Sequence, residues 1–156
     1  MEQSVTDPQT SEETEINAEH IQQVVKDLFG TMLSIDFTSL GTPDDVIIRD
    51  EMLEASVNID GDWNARLRVF ASQELAEIIA AAMFGMEIPE LTDEETRDAV
   101  GEVANVIGGN IKGIADRDCS LSLPSVQSAV EEVAEGALRE LFLCAGSHLQ
   151  VVLETN

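Results

Sequence analysis

The sequence is poor in cysteine, in basic residues and in long hydrophobic runs. Its two cysteines, Cys119 and Cys144, are far apart and belong to no CxxC motif or Cys/His cluster. Neither a disulfide framework nor a zinc site is therefore indicated. We expect both side chains to be buried free thiols.

Basic residues are few: 8 Lys and Arg stand against 31 Asp and Glu, which gives a formal net charge of −23. Nucleic acid backbones and anionic lipid surfaces repel such an acidic chain at long range. We therefore expect no nucleic acid and no membrane as partners. Solubility, or adaptation to a salty host, explains the overall excess of acid at least as well as a specific function.

Long hydrophobic runs are also missing. The longest apolar stretch, Ile78 to Met86, is far too short to span a bilayer, and the first eight residues contain no basic region and no apolar core. From these features we expect a cytoplasmic protein.

The composition is that of one soluble globular domain. The 156 residues are enough for a single core, and the chain is 44% hydrophobic and 25% charged. Residues 1–14 are mostly Glu, Ser, Thr and Gln, with too little apolar surface to offset the entropy of ordering. We predict a disordered acidic tail over 1–14 and one folded domain over 15–156.

The first half of the domain changes its hydrophobic period from helical to extended. Apolar residues recur at three- and four-residue steps from Ile21 to Met32, which predicts a first helix. Alternating polarity then predicts a strand over 33–38. The same alternation over 53–59 and 65–71, separated by the turn residues 60–62, predicts a hairpin.

Two further helices have clear boundary signals. Ser72 is a suitable N-cap for a second helix, and Gly85 is placed to end it in a left-handed conformation. Thr92 and Glu95 form a capping box, which opens a third helix that runs through Ile114.

The last third of the chain is partly ambiguous. Residues 126–137 suit either a helix or strands, whereas 138–144 and 148–154 predict a hairpin that turns at residues 145–147. The elements together predict a single α/β (α+β) domain, in which long helices pack on a mixed, mostly antiparallel sheet.

The third helix has polar and small residues on the side opposite its apolar stripe. We expect this side to face solvent, and its members are Asp98, Gly101, Glu102, Asn105, Gly108, Gly109 and Lys112. Asp98, Glu102 and Asn105 have the spacing i, i+4 and i+7, which aligns them along the helix. A polar row of this kind is ordinarily a solvated face and is by itself weak support for function.

The glycines on this helix need a physical reason, because each interior Gly costs about 0.5–1 kcal/mol relative to Ala. A close approach of another backbone is the usual reason, and either a partner or a neighbouring element of the same fold could supply it. Residues 108–110 lack the Lys-Ser/Thr ending and the strand context of a phosphate-binding P-loop.

The spacing Asp98-x-x-x-Glu102-x-x-Asn105 resembles the Asp/Ser-x-x-x-Glu-x-x-Asn signature of the CheC, CheX and FliY phosphatase family. Leu121-Ser122-Leu123-Pro124 is similar to the proline segment that follows this helix in the family, and residues 108–110 follow Asn105 as in such sequences. Only one Glu-x-x-Asn constellation is present, whereas CheC-like members carry two. The chain therefore most resembles the CheX branch.

The resemblance implies a CheC-like fold and a chemotaxis phosphatase that hydrolyses the aspartyl phosphate of a CheY-like response regulator. Asn105 would orient the attacking water, a role its neutral carboxamide can perform, and Glu102 would pair with the lysine beside the regulator's phosphorylation site. Asp98 would add a second polar contact, although a surface carboxylate without a partner is an equal alternative.

The resemblance further implies that Gly101, Gly108, Gly109 and Lys112 contact the partner and that the chain forms a homodimer. We expect no cofactor or metal in this chain, because three well-placed acidic ligands are not evident in its sequence, and Mg²⁺ would belong to the receiver domain of the regulator.

Two alternatives remain open from the sequence. The chain could be a non-catalytic module that binds response regulators or acts as a dimeric scaffold, or it could be a phosphatase for regulators outside chemotaxis. His20 and His148 do not support a different enzyme, because isolated histidines without a nucleophile at recognisable spacing are usually structural.

Overall fold

The computed structural model describes residues 14–43, 52–129 and 132–155. All of the predicted tail over 1–14 except Thr14 lies outside these described residues. Within them, the chain forms an α+β domain in which the helices pack on one face of an antiparallel sheet, as the sequence predicts.

Three α-helices of the described ranges lie on the sheet. They are α1 (Ala18–Val25), which continues as a π-helical segment (Lys26–Met32), α2 (Gln73–Phe84) and α3 (Asp93–Ala115). Ser72 caps α2 by accepting a hydrogen bond from the Leu75 amide at 3.0 Å, and Gly85 ends it with a left-handed φ of 65°. The predicted boundaries of the second helix are therefore confirmed. No helix among the described residues has the length and apolar character needed to cross a membrane.

Seven antiparallel strands form the sheet in the described residues, in the spatial order β1-β6-β7-β3-β2-β4, with β5 also paired to β2. Their bounds are β1 (Phe37–Gly41), β2 (Met52–Gly61), β3 (Ala65–Ser72), β4 (Cys119–Leu121), β5 (Ser125–Ser128), β6 (Leu138–Cys144) and β7 (Ser147–Thr155). Both predicted hairpins, β2 with β3 and β6 with β7, are confirmed.

The predicted strand over 33–38 is wrong in its first half. The Leu33 amide donates to the Leu28 carbonyl at 2.9 Å, and the Ile35 amide donates to the Phe29 carbonyl at 2.8 Å. These bonds tie the chain back to the end of the π-helical segment, and Ser34 has a left-handed φ of 56°. Alternating polarity here marks a helix terminus, and β1 begins only at Phe37.

The ambiguous region has a strand rather than a helix where it is regular. Residues 125–128 form β5, and residues 132–137 cross the sheet face that the helices leave uncovered. Arg68 holds this crossing segment: its Nη1 atom donates to the Glu132 carbonyl and to Glu154, each at 3.0 Å. Glu154 in turn accepts from the Ala134 amide at 2.9 Å.

The two cysteines are free and differ in burial. Cys144 is buried, as predicted, and burial raises the pKa of its thiol to about 12. Cys119 is only half-buried, and its Sγ atom lies 3.4 Å from the carbonyl oxygen of Trp63. The prediction that both thiols are buried is therefore wrong for Cys119.

Candidate functional site

The candidate site lies on α3, the longest helix among the described residues. The Thr92 hydroxyl accepts from the Glu95 amide at 3.1 Å, and the Thr92 amide donates to the Glu95 carboxylate at 2.9 Å. This reciprocal pair is the predicted capping box, and it satisfies two of the donors that a helix start leaves free. At the other end, Asp116 adopts a left-handed φ of 54° and closes the helix.

One side of α3 packs on the sheet and fixes how the opposite side is presented. The buried residues of this side are Thr96, Ala99, Val100, Gly101, Val103, Ala104, Ile107, Gly108, Ile111 and Ala115. Small and β-branched side chains dominate this set, so the helix lies close to β2 and β3. Its outward residues are therefore held by a rigid, packed element.

The predicted polar row of Asp98, Glu102 and Asn105, called the polar line below, is on the outward side of α3. Asp98 and Glu102 are exposed, and Asn105 is half-buried. The Nδ2 atom of Asn105 donates to Oε1 of Glu102 at 3.4 Å, a long contact between side chains three residues apart. This orientation leaves the amide oxygen of Asn105 able to accept a hydrogen bond from water.

The prediction that Gly101 and Gly108 share this exposed face is wrong, because both are buried. A Cβ atom at position 101 would lie 3.3 Å from Cγ2 of Val126 and 3.5 Å from Cβ of Pro124. A Cβ atom at position 108 would lie 2.6 Å from Cγ2 of Val57, a distance that packed carbon atoms do not adopt. The lack of a side chain at these two glycines therefore allows the protein's own strands, and not a partner, to pack closely against the helix.

Gly109 and Lys112 are half-buried and lie on the outward side near the polar line. A Cβ atom at Gly109 would meet only Cδ2 of Leu121, at an ordinary contact distance of 3.8 Å. Gly113, which the sequence pattern did not single out, is also exposed and has open space at its Cβ position. Its spacing of four residues from Gly109 was the signal for a shared face.

Residues 122–124 connect β4 to β5, and this link borders the polar line on one flank. Leu121 lies against Gly108 and Gly109, and Pro124 lies against Gly101, so the link runs along the helix in the reverse direction. Leu123, within the link, is 89% exposed. The sequence marks this segment by its proline, and no local signal in the sequence distinguishes Leu123.

The described residues contain no group of three or more His, Cys, Asp or Glu side chains placed to hold a metal ion. Asp98 and Glu102 are therefore not part of such a metal-binding group in the described structure. Together with Asn105, they form a surface that can accept and donate hydrogen bonds to a docked molecule.

Comparison with models of protein families matches residues 53–144, more than half of the chain, to the family described as Chemotaxis phosphatase CheX. Comparison with the sequences of curated proteins finds no match.

Solved structures show the same fold. The chemotaxis protein CheX from Vibrio vulnificus has a TM-score of 0.75 at 19% identity, with 89% of this chain and 98% of that chain covered. CheX from Desulfovibrio desulfuricans has a TM-score of 0.67 at 20% identity, with 89% and 98% covered. A CheX–CheY–BeF3–Mg²⁺ complex from Borrelia burgdorferi contains a chain with a TM-score of 0.66 at 18% identity, with 88% and 94% covered.

Proposed function

The chain belongs to the CheX family of chemotaxis phosphatases, and from this premise we propose that it hydrolyses the aspartyl phosphate of a CheY-like receiver domain. The observation that carries the proposal is the outward-facing line of Asp98, Glu102 and Asn105 on a capped helix whose other side is packed in the core. A helix of this kind can enter the phosphorylation site of a partner without distorting its own fold.

Hydrolysis of an aspartyl phosphate needs a water molecule held in line with the bond that breaks. The amide oxygen of Asn105 accepts a hydrogen bond from that water and aims its oxygen at phosphorus. The Nδ2 atom contacts Glu102 at 3.4 Å, so the preceding turn of the helix favours this orientation of the amide. Asn105 thus supplies positioning, and it transfers no proton itself.

Glu102 fixes the position of α3 relative to the phosphorylation site of the receiver. It is exposed and anionic, and a carboxylate forms a charge-assisted hydrogen bond with the lysine beside the receiver's phosphoryl group. Asp98, one turn earlier, adds a second polar contact with the receiver. In this proposal Mg²⁺ is bound by the receiver, and this chain binds no cofactor of its own.

The crystal structure of the CheX–CheY–BeF3–Mg²⁺ complex supports the choice of partner, because the CheX chain in that complex has the fold of this chain. The proposal includes a cytoplasmic location for the reaction, which is the location that the sequence predicts. A homodimer, which the family resemblance implies, stays a prediction that analytical ultracentrifugation checks.

Replacement of Asn105 by alanine tests the catalytic proposal. The purified chain is mixed with a panel of phosphorylated receiver domains and Mg²⁺, and phosphate release is followed. We expect Asn105→Ala to lose the acceleration while it still binds the receiver. A hundredfold loss corresponds to roughly 2.7 kcal/mol of transition-state stabilisation.

Asn110→Ala is the matched control, because Asn110 is an exposed asparagine on the same helix whose Nδ2 atom donates to its own Val106 carbonyl at 2.8 Å. We expect this variant to retain parental turnover. Equal phosphate release by the parent and Asn105→Ala contradicts the water-positioning role. Receiver binding without any acceleration by the parent favours the non-catalytic module instead.

A further inference from the structure

Leu123 is an exposed apolar side chain beside the polar line of α3. Its exposure of 89% exceeds the 36–66% of the other large exposed hydrophobic residues in the described structure. An isolated exposed leucine is common on protein surfaces and needs no explanation by itself. The position and the rigidity of Leu123 are what distinguish it.

The position follows from two packing contacts of the link. The link begins where Leu121 lies 3.8 Å from the Cβ position of Gly109, and it reaches Pro124, which lies 3.5 Å from the Cβ position of Gly101. Between these two contacts the link passes the helical turns that carry Glu102 and Asn105. The link therefore borders the polar line on one flank, and Leu123 lies in the middle of this link.

The rigidity follows from the hydrogen bonds around Ser122. The Ser122 amide donates to the Asn58 carbonyl at 2.9 Å, and the Asn58 amide donates to the Ser122 hydroxyl oxygen at 2.8 Å. The same hydroxyl donates to the carbonyl of Leu123 at 3.0 Å.

The neighbours of the link restrict it further. The ring of Pro124 fixes the next φ angle, and on either side of the link Leu121 and Ser125 pair with β2. The backbone that presents Leu123 is thus already ordered before a partner arrives, so little conformational entropy is lost on binding.

We propose that Leu123 is an apolar anchor that packs against the surface of the receiver domain next to its phosphorylated aspartate. This inference rests on the proposed function and adds the contact that supplies binding affinity. The polar residues set register and position water, whereas burial of an ordered leucine stabilises the complex without a long-range electrostatic attraction. A chain with a net charge of −23 is not attracted at long range to the acidic phosphorylation site of the receiver.

The test compares Leu123→Ser with Leu40→Ser. Leu40 is 48% exposed and lies on β1, at the edge of the sheet opposite β4 and β5, so it controls for the loss of a surface leucine. Affinity is measured with a receiver domain carrying beryllofluoride and Mg²⁺, and turnover is measured separately with the phosphorylated receiver. Melting temperature reports the fold of each variant.

We expect Leu123→Ser to weaken binding by about tenfold to a hundredfold, with kcat at saturation and the melting temperature unchanged. Leu40→Ser should match the parent, and Leu123→Met should restore most of the affinity because it restores apolar area.

Three outcomes overturn the inference. If Leu123→Ser binds as tightly as the parent while the parent dephosphorylates the receiver, Leu123 is no anchor and the proposed function stands. If Leu123→Ser instead dissociates a dimer of the chain, the leucine serves contact between two copies. A parent chain that neither binds nor dephosphorylates any receiver of the panel overturns both proposals. Tight parental binding without turnover contradicts only the proposed function, because the loss of affinity in Leu123→Ser still supports the anchor.

Discussion

Gly108 and Gly109 are neighbours on α3 with opposite surroundings. The Cβ position of Gly108 lies 2.6 Å from Cγ2 of Val57 in the core, and that of Gly109 lies 3.8 Å from Cδ2 of Leu121 near the surface. Both glycines have helical backbone angles, so the same substitution tests packing alone at the two sites.

We expect Gly108→Ala to destabilise the fold and Gly109→Ala to stabilise it. The added methyl at 108 overpacks a core that includes the stiff side chain of Val57, at a cost of about 1–3 kcal/mol. At 109 the methyl fits, and the gain in helix propensity is about 0.5–1 kcal/mol. Urea unfolding of the two variants measures both signs. A stable Gly108→Ala variant would show that β2 moves away from the helix at low cost.

The same pair shows how far a sequence predicts a site at the level of single residues. The i, i+4, i+7 spacing was sufficient to place Asp98, Glu102 and Asn105 on one outward line. It did not separate Gly108, which packs against a strand, from Gly109, which faces outward, because that distinction depends on where Val57 of β2 packs against the helix. The exposure of Leu123 has the same long-range origin.

Among the elements, the crossing segment of residues 132–137 depends most clearly on buried charge. Arg68 is 1% exposed and donates to Glu54 through Nε at 2.7 Å and through Nη2 at 3.1 Å. Burial lowers the pKa of Arg68, but the hydrogen bonds and charges of Glu54 and Glu154 outweigh it, and the pKa is raised. The guanidinium therefore stays charged and joins the sheet to the segment.

We expect Arg68→Met to destabilise the domain by about 3–5 kcal/mol, because it leaves the buried Glu54 carboxylate without its closest partner. Hydrogen exchange at the Ala134 amide should also accelerate. Arg66→Met is the control: the Arg66 side chain is 35% exposed and lies 3.6 Å from Glu54, so its loss should cost no more than about 1 kcal/mol.

A double variant checks the physical reason. Replacing both Arg68 and Glu54 with methionine removes the unpaired charge, so it should be less harmful than Arg68→Met alone. If the double variant is the less stable of the two, removal of the unpaired Glu54 charge is not the dominant effect. The loss of the Arg68 side chain's other contacts, including the guanidinium carbon Cζ over the Phe70 ring at 5.0 Å from its centroid, then outweighs it.

Local signals determined which elements were predictable. Caps at Ser72 and Thr92 and the turn at residues 145–147 act within a few residues, and the corresponding helices and hairpin are confirmed. The strand over 33–38 was partly wrong because hydrogen bonds to Leu28 and Phe29 extend the helix end. The course of residues 132–137 depends on Arg68, which is more than 60 residues away in sequence.

For the whole molecule, the α+β class followed from the order of helical and alternating segments, whereas the spatial order of the strands did not. β1 pairs with β6, and β4 and β5 both pair with β2, and these partners are distant in sequence. Composition was informative about charge instead: a formal net charge of −23 is a property of the entire surface and acts on both folding and docking.

The two effects of charge should respond differently to salt. Self-repulsion destabilises the compact state of so acidic a chain, and the Debye length falls from about 30 Å at 0.01 M salt to about 3 Å at 1 M. We therefore expect the melting temperature to rise as NaCl is added. A Glu102→Gln variant, with a formal charge of −22 in place of −23, should show nearly the same rise.

Receiver binding should distinguish the parent from the Glu102→Gln variant. If Glu102 pairs with a lysine of the receiver, salt screens an attraction that the parent has and Glu102→Gln lacks, so the affinity of the parent should fall more steeply with NaCl. Comparing the two slopes removes the general repulsion between acidic partners, because that repulsion is almost equal in both. Titration of each protein into a receiver carrying beryllofluoride and Mg²⁺, over a range of NaCl concentrations, measures the difference. Parallel slopes would mean that Glu102 meets no cation in the complex, and its carboxylate would then be part of a solvated helix face.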